Sequence, residues 1–139
     1  MILFFDNDIG RGVPDALHSV NIGVLSVLKR YRRGNTPDTR WLRDAGANGW
    51  LVISCNKDIL NVDEERELII SEKVGIVFLT SGQEKAREIL NLILRKWSWL
   101  EKIDREVERP FVFFLGLNGR ARRHNPITPL AQRRLRRSA

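Results

Sequence analysis

Asp6 and Asp8 stand directly behind the apolar run Ile2-Leu3-Phe4-Phe5, and Asp38 and Asp58 recur at a helix start and behind another apolar run. Carboxylates that converge in this way repel one another unless a cation joins them. Hard oxygen donors, with one cysteine (Cys55) and no paired histidines, point to Mg²⁺ or Mn²⁺ rather than zinc. A metal so held can activate water, neutralise a phosphodiester oxygen and stabilise a leaving group. The spacing alone is loose, and Asp8 also suits the plainer role of a helix cap. His18 reads as a packed or surface histidine rather than a general base, and neither a Ser-His-Asp system nor a phosphate-binding P-loop is recognisable.

These acids need elements to carry them. Residues 2–5 run apolar without alternation, the signature of a strand buried on both faces and hence of a central parallel strand. In open α/β sheets, ligands gather beyond the carboxyl ends of such strands, which is where Asp6 and Asp8 fall. A short helix is expected over Gly12–His18, a second strand over Asn21–Leu28, and a basic loop over Lys29–Asn35. Thr36 as N-cap, Pro37 at the first position and Asp38 in the first turn open the next helix. Trp50–Ser54 is a further buried strand, with Cys55-Asn56-Lys57-Asp58 at its carboxyl end. Asn61 and Glu64 have the spacing of a helix start, and Gly75–Leu79 follows as a strand. Ser81–Glu84 reads as a capping box opening one long helix with Ala86, Ile89, Leu90, Ile93, Trp97 and Leu100 on its apolar side, before a last strand at Phe111–Leu115. The alternation of strands and helices predicts an α/β protein, a three-layer α/β/α domain with a mainly parallel central sheet.

Composition agrees with a folded, water-facing domain: 42% of the 139 residues are hydrophobic and 29% charged, and no apolar run reaches transmembrane length. With no basic leader at the start, a cytoplasmic location without membrane attachment is expected. Residues 119–139 hold seven arginines and no acid, so removing them from the net charge of +7 leaves residues 1–118 at a formal zero. The chain thus divides into a neutral domain, 1–118, and a basic tail, 119–139, expected to be disordered because it brings little apolar surface. Such a tail suits nucleic-acid contact or simple solvation. Arg30, Arg32 and Arg33 around Tyr31, together with Arg120, Arg122 and Arg123, are the candidate nucleic-acid contacts. Lys57 is either a phosphate contact or surface charge.

The segments "LFFDNDIGRGVPDALHSV", "DTRWLRDAGANGWLVISCNKDI", "DEERELIISEKVGIVFL" and "RPFVFFLGLNGR", taken in order, resemble the PIN-like nuclease superfamily, in particular small bacterial proteins related to toxins of the VapC kind. The resemblance implies a PIN fold and Mg²⁺- or Mn²⁺-dependent hydrolysis of RNA, with an antitoxin protein as partner, and leaves a homodimer open. It makes Asp6 the first metal-binding acid and Asp38 the next, with Asp8 where relatives often carry Asn. At the third position relatives usually read Thr-x-Asp-x-Asp, whereas this chain reads Ser54-Cys55-Asn56-Lys57-Asp58. Asn56 can ligate a metal or stand just behind it, but brings no charge. Either Asp8 and Asp58 compensate, or the site is weakened. Asp6, Asp38 and Asp58 are then the expected catalytic acids, with Asp8 a further ligand. Asp63, Glu64 and Glu65 read as helix-start acids, with contact to the site the lesser alternative. Two other functions compete. A degenerate PIN-like module would bind RNA or protein without catalysis. Asp6-x-Asp8 also resembles the opening of haloacid-dehalogenase-like phosphatases, but Thr80-Ser81-Gly82 lacks the later acids that family needs.

Overall fold

The computed structural model describes residues 1–20, 23–33, 35–80, 85–126 and 128. Among these described residues, six strands form one sheet in the order β2-β1-β3-β4-β5-β6. They are β1 (Leu3–Phe5), β2 (Val24–Ser26), β3 (Leu51–Ser54), β4 (Gly75–Leu79), β5 (Phe111–Leu115) and β6 (Ala121–His124). The first five run parallel, and β6 returns antiparallel along β5. Every residue of β1, β3 and β4 is buried, so the unalternating apolar runs do mark strands covered on both faces.

Strand parity splits the core in two. Leu3, Phe5, Leu51, Ile53, Val77 and Leu79 pack with helices α1 (Gly12–Val20), α5 (Ala86–Arg95) and α6 (Trp97–Glu106). Phe4, Val52, Ile76 and Phe78 face the other way, onto α3 (Asp38–Asn48) and α4 (Asp63–Ser71), with the short α2 (Val27–Tyr31) joining them through Val27. This is the expected three-layer α/β/α arrangement. On the second face Phe4 stacks on Trp50 at 5.2 Å and leans on Trp41 at 5.5 Å. A fully buried tryptophan must place its N–H, and Trp41 donates to Asp38 Oδ1 at 3.0 Å. The aromatic core thereby fixes the carboxylate at the head of α3.

Several local expectations change. The second strand stops at Ser26, whose hydroxyl accepts the Lys29 N–H at 3.2 Å and caps α2. Lys29, Arg30 and Tyr31 are accordingly helical rather than a loop. Thr36 does not cap α3; its hydroxyl donates to the Arg33 carbonyl, and Pro37 holds the cap position. Asn61 closes a 3₁₀ turn, Lys57–Asn61, and α4 begins only at Asp63. The single long helix is two, because the helix is broken at Lys96 while the apolar spacing suits both halves and so runs through the break. Disorder from Gly119 onward is wrong for residues 121–124. These pair with β5, His124 is buried against Phe114 at 5.1 Å, and Arg122 and Arg123 lie over Phe114 and Phe113. An open sheet edge supplies hydrogen bonds and ring faces that the arginine-rich composition did not reveal. The expected capping box Ser81–Glu84, residues 21–22 and the arginines at 133–137 lie outside the described residues.

Helices α3 and α4 meet where Gly46 faces Glu72. A Cβ on Gly46 would stand 2.3 Å from the Glu72 carbonyl oxygen and 2.7 Å from its Cβ. Backbone on one side cannot yield cheaply, so Gly46→Ala is expected to cost about 1–3 kcal/mol and to lower the melting temperature by roughly 5 °C. Thermal denaturation followed by circular dichroism checks this; an unchanged melt would mean that the helices separate freely.

Candidate active site

The strand order reverses at β1, since the chain goes from β1 to β2 on one side and returns to β3 on the other. Such a switch point opens a crevice at the carboxyl ends of the strands, and Asp6 follows β1 directly. Its side chain is held from two sides. Oδ1 accepts the Asn7 N–H at 2.6 Å, and Oδ2 accepts the Ser54 hydroxyl at 2.9 Å. Ser54, wholly buried at the end of β3, accepts the Asn56 N–H in turn. Asp8, in the 3₁₀ turn Asn7–Ile9, accepts the Cys55 N–H at 3.1 Å. The two acids are thus pinned across the crevice to residues 54 and 55.

Asp6 is only 6% exposed. Burial, and then the charges of Asp8 and Asp38, push its carboxyl up to about 7, against the smaller opposing pull of its hydrogen bonds to Ser54 and Asn7. Asp8 is raised as well, by partial desolvation first, with Asp38 adding to it against the stronger pull of the Cys55 N–H. Glu65, in the first turn of α4, is likewise pushed up to about 7 by burial, by a hydrogen bond shared with Asp38, and by the charges of Asp38 and Asp6. Four carboxyls from β1, the turn behind it, α3 and α4 therefore act on one another. For Asp6, Asp8 and Glu65 this gathering of like charge favours the protonated form unless a cation takes the place of the proton.

Glu65 belongs to this group, so the lesser alternative, contact of a helix-start acid with the site, holds for it. Its signal was present: it lies three and four residues before the buried Leu68 and Ile69, on the inward stripe of the helix. Its neighbour Asp63 is paired instead with Arg66 at 2.7 Å, and Glu64 is exposed. Asp58 is exposed in the turn Lys57–Asn61 and is not among the principal charges on Asp6, Asp8 or Glu65. Asn56 reaches the site through its backbone N–H on Ser54, and His18 is exposed.

Among the described residues, no three His, Cys, Asp or Glu side chains already form a metal cage. The donor set nonetheless fits a hard divalent cation. It is all oxygen, its members repel one another, and the nearby Cys55 thiol, driven up to about 12 by burial and by Asp8 and Asp6, stays protonated and is a poor ligand.

The candidate nucleic-acid contacts divide. Arg32 lines the crevice beside Asp6, whereas Arg30 lies over the Tyr31 and Trp50 rings. Arg33 is exposed and Lys57 half-buried. Arg120, Arg122 and Arg123 belong to the opposite edge of the sheet, roughly 24 Å away at the usual strand spacing. The basic residues therefore do not form one patch.

A doubly wound α/β domain with interacting acids at its switch point is the class that fold and site define. A family model described as PIN like domain matches residues 1–81, more than half of the chain and the part that carries Asp6, Asp8, Asp38 and Glu65. The chain belongs to the PIN-like domain family. No curated protein and no solved structure matches it. Among the described residues, no helix is long and apolar enough to cross a membrane.

Proposed function

We propose that the protein is a divalent-metal-dependent ribonuclease that hydrolyses RNA phosphodiester bonds. The observation that carries this reading is Asp6, buried at the switch point of a PIN-like fold and raised by that burial first and then by Asp8 and Asp38. Asp6 and Asp38 would hold Mg²⁺ or Mn²⁺, with Asp8 and Glu65 beside them. When bound, the cation supplies charge neutralisation and an activated water at the scissile phosphate. The chain's own part is to keep the carboxylates aimed. Ser54 and the Asn7 N–H fix Asp6, the Cys55 N–H fixes Asp8, and the Trp41 indole fixes Asp38. Incubating purified protein with single-stranded RNA, with Mn²⁺ or with chelator, tests the proposal: cleavage is expected only with the metal. The resemblance to VapC-type toxins extends the proposal to a toxin held by an antitoxin protein. Asn56, standing where an acid is usual, favours a second reading, an RNA- or protein-binding module without catalysis. Binding without metal-dependent cleavage would select it.

Proton linkage gives a further expectation. A carboxyl whose pKa is raised on folding stabilises the fold below its ordinary pKa near 4, and loses that contribution as pH rises toward the folded value. For Asp6 and Glu65 the window runs from about 4 to about 7. The metal-free protein should therefore melt progressively lower between pH 5 and 8. Mn²⁺ should raise the melting temperature at pH 8 and do little at pH 5, where protons occupy the same oxygens. Thermal melts across this range check both signs, and equal stabilisation by Mn²⁺ at both ends would contradict them.

A further inference from the structure

The crevice continues from Asp6 toward β2 and α2 as a cleft of about 220 Å³. Arg11, Lys29 and Arg32 line it together with Asp6, Asp15 and Ser26. The volume lies below the roughly 300–1,000 Å³ of pockets for drug-sized ligands and suits a phosphate with its sugar. The cations are arranged rather than scattered. Asp15 pairs with Lys29 at 3.2 Å and stands 4.0 Å from Arg11, and Ser26 caps the turn of helix that carries Lys29. Arg32 ends α2 in the left-handed region, at φ 60°, with its N–H on the Leu28 carbonyl. A non-glycine residue held in that conformation is uncommon and costs free energy. Glycine is the residue normally used there, so an arginine at this position sacrifices local stability to put a guanidinium on the cleft.

We infer that this cleft seats a phosphate group of the RNA strand next to the one being cleaved, with Arg32 and Lys29 as its main contacts and Arg11 at its rim. The inference rests on the nuclease reading for the identity of the strand. It sets the direction in which the strand leaves the site: toward β2, away from the arginines of β6. The phosphate is either an internal phosphodiester or a terminal phosphate, and the chemistry of the seat is the same for both.

The test uses the full chain carrying Asp6→Asn to prevent turnover, in chelator, with a short fluorescent single-stranded RNA at several salt concentrations. Adding Arg32→Gln should weaken binding about tenfold, as expected for a lost charged hydrogen bond, and flatten the salt slope by about 0.7. Lys102→Gln removes the same charge from the far helix α6 and should change neither. Arg32→Gly should weaken binding as Arg32→Gln does, yet melt no lower than its parent, because glycine accepts the left-handed backbone. A loss confined to 5′-phosphorylated RNA would assign the seat to a terminal phosphate; equal loss with 5′-hydroxyl RNA would assign it to an internal one. Equal effects of Arg32→Gln and Lys102→Gln would overturn the seat. If the otherwise unaltered chain still cleaved RNA with Mn²⁺, the nuclease reading would survive that result. Binding through Arg32 without any cleavage would remove the nuclease reading and keep the seat. No RNA binding by the metal-free variant would remove the seat, and an absence of cleavage by the unaltered chain with Mn²⁺ would remove the nuclease reading as well.

Discussion

Asp6→Asn should lower metal-dependent RNA cleavage by at least about 100-fold while leaving the fold intact. Altering the partners that merely orient metal ligands typically costs 10–100-fold, and Asp6 is the most buried of the acids expected to touch the cation. The amide keeps the size of the side chain, its oxygen can still accept the Asn7 N–H, and its NH2 can donate to the Ser54 hydroxyl oxygen in place of accepting from it, so the crevice should not collapse. It also removes the charge that Asp8 and Asp38 oppose. Without metal the variant should therefore be more stable than wild type at pH 8, by about 2–4 kcal/mol at most, and the difference should vanish near pH 4. The paired outcome, activity lost and metal-free stability gained, separates an electrostatic ligand role from simple structural damage. Cleavage at the wild-type rate would remove Asp6 from the chemistry.

Glu65→Gln is expected to have the next largest effect, about tenfold or more in cleavage, while Asp58→Asn should change the rate by less than about threefold. The contrast follows from position. Glu65 is half-buried and interacts with the charges of Asp38 and Asp6, so its charge is felt at the site in a medium that screens poorly. Asp58 is exposed, where solvent and salt screen its charge. Side-by-side rates at saturating Mn²⁺, with metal affinities from calorimetry, decide it. A rate that falls with Asp58→Asn and survives Glu65→Gln would restore the Thr-x-Asp-x-Asp reading, and Asn56 would then be the departure that matters.

Much of this arrangement is legible in the chain itself. Uninterrupted apolar runs locate β1, β3, β4 and β5 because both of their faces are covered, and Asp6 follows from the run that ends at Phe5. What escapes reading depends on contacts between segments distant in sequence. Asp38 is fixed by Trp41 and by a helix packed through Gly46, and neither spacing nor composition says how close α4 will bring Glu65. The end of the second strand turned on one hydroxyl, Ser26, which caps a helix where alternation alone would have continued a strand. The edge strand β6 escaped because residues 121–123 are arginine-rich and exposed, with only His124 buried. Its order comes from β5, which has an open edge to offer, rather than from any apolar pattern of its own. A position in a motif fixes a place along the chain, but not that Asp58 falls in an exposed 3₁₀ turn.

The most direct test of the central claim is a crystal of the wild-type protein soaked in Mn²⁺ and measured with X-rays at the manganese edge. One strong anomalous peak is expected in the crevice behind β1, bounded by the carboxylates of Asp6 and Asp38, with Asp8 and Glu65 in contact with it or with its waters. A peak held elsewhere, or a crevice without one at Mn²⁺ concentrations that support RNA cleavage, would contradict that claim.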